Sequence, residues 1–300
     1  MIKTKIILRT IIICSIFNSF GISAFSQNTG KVLETRVIKS NILSRDVKYS
    51  VYLPSDYSTS ERTYPVVYLL HGLGDNNTGW VQFGEINRLA DKAISDGTIP
   101  PMILIMPDGT KSFYINSYDR KEMYEDFFIQ EFIPAIEKEY KIKAEKRYRG
   151  IAGLSMGGYG TLFYALKYPD MFAACAPLSA AVWSDNDFSA MQVPQYEQLV
   201  APVFGKNLKG NNRLTKQWSD HSILKMIDTK SADDLKKVKY WIDCGDDDFL
   251  TEGNCLLHIA LKNKNVPHEF RVRDGSHGWS YWRSGVVDAL RFIGDEFHKM

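Results

Sequence analysis

The chain has 300 residues, a formal net charge of +2, and 44% hydrophobic and 24% charged residues. A chain of this length and apolar content can bury a full core without disulfide or metal staples. Its near-neutral charge, with no basic stretch interleaved with aromatics, argues against nucleic-acid binding.

Residues 1–26 read as a signal peptide. Lys3, Lys5 and Arg9 precede an apolar run from Thr10 to Phe17, and Ala24-Phe25-Ser26 suits cleavage before Gln27. The run is shorter than the about 18 residues expected of a permanent membrane helix. The mature chain is therefore expected to be exported, periplasmic or secreted, with no membrane attachment. Residues 27–300 are expected to form a single domain, with 27–36 as a loose lead-in. Three cysteines follow the signal segment: Cys175, Cys244 and Cys255. They do not make a disulfide framework or a zinc pattern. Whether Cys244 pairs with Cys255 is open at this level, and Cys175 reads as a small buried apolar residue.

Short runs rich in β-branched and aromatic residues then punctuate the chain: 47–53, 65–70, 102–106, 148–152, 240–243 and 269–273. The runs 66–70 and 102–106 are almost unbroken apolar, as strands buried on both faces are. The run 47–53 alternates, which suits an outer antiparallel strand. Helical spacing falls between the strands, at 124–140 with an irregularity at Pro134, and at 157–168, 253–263 and 285–297. Residues 180–235 carry no clear strand and read as a helical and loop excursion over the sheet. Strands alternating with helices predict an α/β fold with a mostly parallel central sheet and helices on both faces.

The strongest motif is Gly153-Leu154-Ser155-Met156-Gly157, between the predicted strand 148–152 and the helix that follows. It matches a nucleophile elbow, a strained turn that lifts a serine hydroxyl clear of the sheet. Ser155 is the candidate nucleophile and needs a base. His277, in Asp274-Gly275-Ser276-His277-Gly278-Trp279 after the last strand, is placed to reach it. The orienting acid should lie on the loop after strand 240–243. There Asp246, Asp247 and Asp248 are adjacent, and chemistry alone does not choose among them. The backbone amides of Met156, and of Leu73 in His71-Gly72-Leu73-Gly74, are the candidate oxyanion donors. His71 precedes the elbow and reads as structural. Trp80, Tyr114 and Trp279, together with Phe113 and Trp282, are candidate substrate-binding aromatics.

Taken together, His71-Gly72-Leu73-Gly74, Gly153-Leu154-Ser155-Met156-Gly157-Gly158, Cys244-Gly245-x-x-Asp248 and Gly275-Ser276-His277-x-Trp279 resemble the esterase D / feruloyl esterase branch of the α/β-hydrolases, carbohydrate esterase family 1 included. The resemblance covers residues 40–297. It implies an α/β-hydrolase fold, Asp248 as the triad acid, and neither metal nor organic cofactor. It also implies an ester-bearing small molecule or glycan as substrate, with feruloyl or acetyl groups on plant polysaccharides foremost. An acyltransferase or an S-formylglutathione hydrolase-like thioesterase shares the scaffold. A non-enzymatic glycan-binding protein would show a broken triad, whereas every partner type is present here.

Overall fold

The computed structural model describes residues 29–298. The expected signal peptide, residues 1–26, lies outside the described residues. Eight strands form one sheet: β1 (Lys31–Ser40), β2 (Arg45–Leu53), β3 (Val66–Leu70), β4 (Ile103–Pro107), β5 (Arg149–Leu154), β6 (Ala174–Leu178), β7 (Lys239–Gly245) and β8 (His268–Arg273). Their spatial order is β1-β2-β4-β3-β5-β6-β7-β8. β2 is antiparallel to both neighbours, and β3 through β8 pair parallel.

The unbroken apolar runs behave as expected, because both faces of the sheet are covered. Along β3, Val66, Tyr68 and Leu70 join one core, while Val67 and Leu69 join the other. β4 divides in the same way, with Ile103 and Ile105 on one side and Leu104 and Met106 on the other. The Met156–Lys167 helix fills the first core with Leu162, Phe163 and Leu166. The second core takes Ile86 and Ala90 from the Ile86–Ser95 helix, and Val286, Leu290 and Ile293 from the C-terminal helix. Among the described residues no helix is long and apolar enough to cross a membrane.

Four expectations need correction. Residues 31–36 of the supposed loose lead-in belong to β1, a ten-residue strand that pairs along β2. Its mixed, largely exposed side chains hide the signal, and the partner strand supplies the order. β6, Ala-Cys-Ala-Pro-Leu, lacks the β-branched residues that mark a strand, yet it is fully buried between β5 and β7. The expected helix 124–140 is interrupted by a π-helical turn over Phe128–Phe132, just ahead of Pro134, where a proline cannot donate to the ladder. The last helix starts at Trp279, not Gly285. Gly285 is internal to it, and the position needs glycine because a Cβ there would lie 2.6 Å from Asp243 Oδ2. Cys175, Cys244 and Cys255 are all free, so Cys244 and Cys255 do not pair.

The excursion after β6 is helical and has its own anchor. Buried Arg213 donates to the carbonyls of Leu208 and Ser189, each at 3.1 Å, and lies over the Tyr196 ring. Phe188 stacks on Trp218 at 3.7 Å. This segment walls one side of the carboxyl end of the sheet.

The strand that leads to Ser155 is pinned at its start. Arg149 donates to both oxygens of Glu137, at 2.6 and 2.9 Å, and to Met171 O at 2.7 Å. Both partners are nearly buried. Glu137→Ala should therefore strand a buried guanidinium and lower stability by about 3–5 kcal/mol. The urea midpoint measures this, and an unchanged midpoint would refute it.

Candidate active site

Ser155 follows β5 directly and adopts φ 55°, ψ −116°. A non-glycine residue there stores about 1–3 kcal/mol of strain and stays only where its surroundings over-determine it. The Ser155 N–H donates to Leu178 O at 2.9 Å, and the Ala181 N–H donates to Ser155 O at 3.1 Å. The flanking glycines allow the turn to close. A Cβ on Gly153 would lie 2.6 Å from Gly157 O, and one on Gly157 would strike Leu70 O. The hydroxyl thus stands at the N-terminus of the Met156–Lys167 helix, where the dipole favours negative charge.

The loops after β7 and β8 meet over this turn. His277 Nε2 lies 3.0 Å from Ser155 Oγ, although the two are 122 residues apart in sequence. Its Nδ1 lies 2.8 and 3.0 Å from the two oxygens of Asp248. With Nδ1 donating to the carboxylate, Nε2 is free to accept the serine proton.

The three adjacent carboxylates separate cleanly in space. Asp248 is buried against His277. Asp246 accepts the Gly275 N–H at 3.0 Å, tying the acid loop to the histidine loop, and Asp247 is exposed. Burial pushes the Asp248 carboxyl up. Hydrogen bonds from His277, the Leu250 N–H and Ser179 outweigh that and hold it below the usual carboxylate range.

Sequence reading missed Ser179, which sits at the end of the unrecognised strand β6. Its hydroxyl accepts from Trp282 Nε1 at 3.0 Å and helps hold the Asp248 carboxyl down. Phe249 was also missed. It is 74% exposed, and its ring centroid lies 4.5 Å from that of His277. Trp282 packs edge-on to the same imidazole at 4.9 Å. The adjacency of Phe249 to the acid run was the available signal.

Below these loops, Asp243 is fully buried. It receives Arg273 Nη2 at 2.6 Å and the Tyr281 hydroxyl. These contacts clamp the end of β8 and the first turn of the C-terminal helix to β7, so the stretch bearing His277 is held at both ends.

A cleft of about 300 Å³ opens beside the hydroxyl. It is lined by Leu73 and Asp75 on one side, by Phe83, and by His277, Trp279 and Trp282 on the other. Met156 is the first residue of its helix, so its N–H has no intrahelical acceptor. Leu73 lines the cleft.

His71 lies behind that loop. Its Nδ1–H donates to Gly72 O at 2.8 Å, and its Nε2 accepts from the Gly109 N–H at 2.8 Å. Both nitrogens are engaged, which fits a brace.

Two expected pocket aromatics do not reach the cleft. Trp80 is fully buried and donates to Leu70 O at 3.0 Å. Tyr114 is fully buried and donates to His71 O at 2.9 Å. Each supports the Leu73 loop from behind, because its polar tip finds a backbone carbonyl in the interior. Phe113 is likewise buried. Trp279 lines the cleft with Trp282, beside Phe83, which sequence reading did not single out. Asp246, Asp247 and Asp274 bring exposed carboxylate oxygens within 4.8 Å of one another, and no further feature there points to an ion.

The sheet order, the strained serine between strand and helix, and the contacts at the carboxyl strand ends define an α/β-hydrolase fold with a serine–histidine–aspartate arrangement. The Esterase family model, described as "Putative esterase", matches residues 40–293, and the chain belongs to this family. A solved ferulic acid esterase superposes with a TM-score of 0.77 at 32% identity, covering 90% of this chain and 99% of that one. The endo-1,4-beta-xylanase/feruloyl esterase of Xylanibacter ruminicola is 36% identical over 154 residues, 49% of this chain and 21% of its own length. The acetyl esterase of Caldicellulosiruptor saccharolyticus is 26% identical over 76% of this chain and 82% of its own. The chain spans between about a fifth and about half of the length of the first curated relatives it matches.

Because Asp248 is held below its ordinary value in the folded state, its carboxylate contributes stability that is complete above the unfolded value of about 3.9. That contribution is lost as pH falls through the lower folded value. Asp248→Asn should therefore be less stable than wild type at pH 5, and the gap should narrow at pH 2.5. Urea unfolding at the two pH values checks this, and a gap that widens in acid would contradict it.

Proposed function

We propose that the chain is an exported serine carboxylic-ester hydrolase that removes feruloyl or acetyl groups from plant polysaccharides or oligosaccharides. The observation that carries this reading is the continuous relay from Asp248 through His277 to Ser155, set beside an aromatic cleft. In this reading His277 takes the Ser155 proton as Oγ attacks the ester carbonyl. The Leu73 and Met156 amides hold the oxygen that becomes negative. The tetrahedral intermediate collapses, and His277 Nε2 gives its proton to the leaving alcohol. Water, deprotonated by the same nitrogen, then attacks the acyl-enzyme and releases the acid and Ser155. The ferulic acid esterase and acetyl esterase likenesses support the two acyl groups named.

The test compares initial rates on methyl ferulate, an acetylated xylo-oligosaccharide and S-formylglutathione, with fluorophosphonate labelling alongside. Turnover of at least one of the first two substrates is expected. Ser155→Ala should lose labelling and about 10⁴-fold or more in kcat. Near-wild-type turnover in that variant would refute the nucleophile. Activity confined to S-formylglutathione would replace the glycan-ester reading with a thioesterase one.

Export rests on residues 1–26, with residues 27–300 as one esterase domain after their removal. Intact mass of the protein recovered outside the cytoplasm should lack that segment. A mass that includes it refutes cleavage.

A further inference from the structure

Attack by Ser155 creates a carbon with four substituents: Oγ, the oxyanion, the acyl chain and the leaving oxygen. The Leu73 and Met156 amides direct the oxyanion. The leaving oxygen must come within hydrogen-bond reach of His277 Nε2, because that atom returns the proton. The chain continues from His277 into Trp279 and Trp282, which line the same cleft as Phe83. Whatever the leaving oxygen carries is therefore directed along the Phe83–Trp279 wall. A separate recess of about 430 Å³ is lined by Trp183, Met191 and Leu199 of the helical excursion and by Phe249.

We infer that Phe83 and Trp279 form the platform on which the sugar bearing the ester stacks, so that they select for a glycosyl leaving group over a simple alcohol. This rests on the esterase reading and assigns one side of that site.

The platform is held in place. Trp279 meets buried Trp80 edge-on at 5.2 Å and 88°, and Trp282 edge-on at 5.4 Å and 87°. Trp80 is itself tied to the end of β3 through Leu70 O. Phe83 lies 6.0 Å from Trp279, tilted by 37°. Its carbonyl accepts from Arg283 Nη1 at 2.9 Å. Phe83 is nonetheless 51% exposed. A ring kept half in water forgoes part of the stabilisation that full burial would bring. An apolar face of a pyranose or furanose would recover part of that. Asp75 lines the same cleft, with its Oδ1 accepting the Asn76 N–H at 2.8 Å, and its carboxylate can accept from a sugar hydroxyl at the rim. A methyl leaving group has no ring face to stack and no hydroxyl to bind.

The experiment measures kcat/KM on pairs that share an acyl group. Methyl ferulate is paired with a feruloylated arabinoxylo-oligosaccharide, and methyl acetate with acetylated xylotriose. In wild type the glycosyl ester should be preferred in the pair that is turned over. Phe83→Ala should lower the glycosyl-to-methyl ratio about tenfold, chiefly through KM, and Phe83→Trp should restore it. An unchanged ratio in Phe83→Ala overturns the platform, as does wild-type preference for the methyl ester. If wild type hydrolyses both members of a pair and only the ratio fails to move, the platform falls and the esterase reading stands. If wild type hydrolyses none of the four, the esterase reading falls and the platform with it.

Discussion

The backbone at residue 155 carries a conformation that a serine resists, with φ 55° between a buried strand and a helix. Almost every other feature of the site follows from holding it there. The turn closes only because Gly153 and Gly157 let the strand and helix approach. It stays closed because Leu178 O and the Ala181 N–H bracket it. Those two partners come from the end of β6 and the start of the helical excursion. The same contacts that fix the hydroxyl thus also fix where the excursion leaves the sheet. The strain is local, and the cost is offset by packing that extends through both cores.

Around that point the parallel strands deliver their following loops to one end of the sheet, where α/β folds place their sites. The loop after β3 brings Leu73, and those after β7 and β8 bring Asp248 and His277. Loops alone would be too mobile for contacts of 2.8–3.0 Å. The buried Asp243–Arg273–Tyr281 cluster holds the elements on either side of His277. Ser179 ties the end of β6 to Trp282 on the C-terminal helix. Such buried polar groups are costly when unpaired, so each partner constrains the next.

The aromatics near the site divide between the interior and the cleft wall. Trp80 and Tyr114 find Leu70 O and His71 O inside the protein, and they shape the cleft without touching it. Trp279 and Phe83 find no such burial and remain at the cleft wall, while Phe249 stands in solvent beside the imidazole. The cleft surface is therefore apolar and aromatic on the histidine side. On the opposite side it is edged by Asp75 and the glycine-rich turn at Gly72 and Gly74.

The order of motifs along the chain was enough to read the α/β class, the elbow, the histidine loop and the loop carrying the acid. Each of these is a local pattern, a glycine spacing or an apolar run whose physical meaning is complete within a few residues. Residues such as Ser179, Phe83 and Phe249 have no such local mark. Their significance comes from neighbours far away in sequence, as does the edge strand β1, which is ordered by pairing with β2 and not by its own composition. The choice among Asp246, Asp247 and Asp248 is of the same kind. Three identical side chains in a row differ only in what surrounds them, and burial against His277 is a property of two loops meeting. Tertiary structure alone decided which acid turns inward and which tryptophan faces the cleft, because both depend on packing between segments that the linear pattern leaves independent.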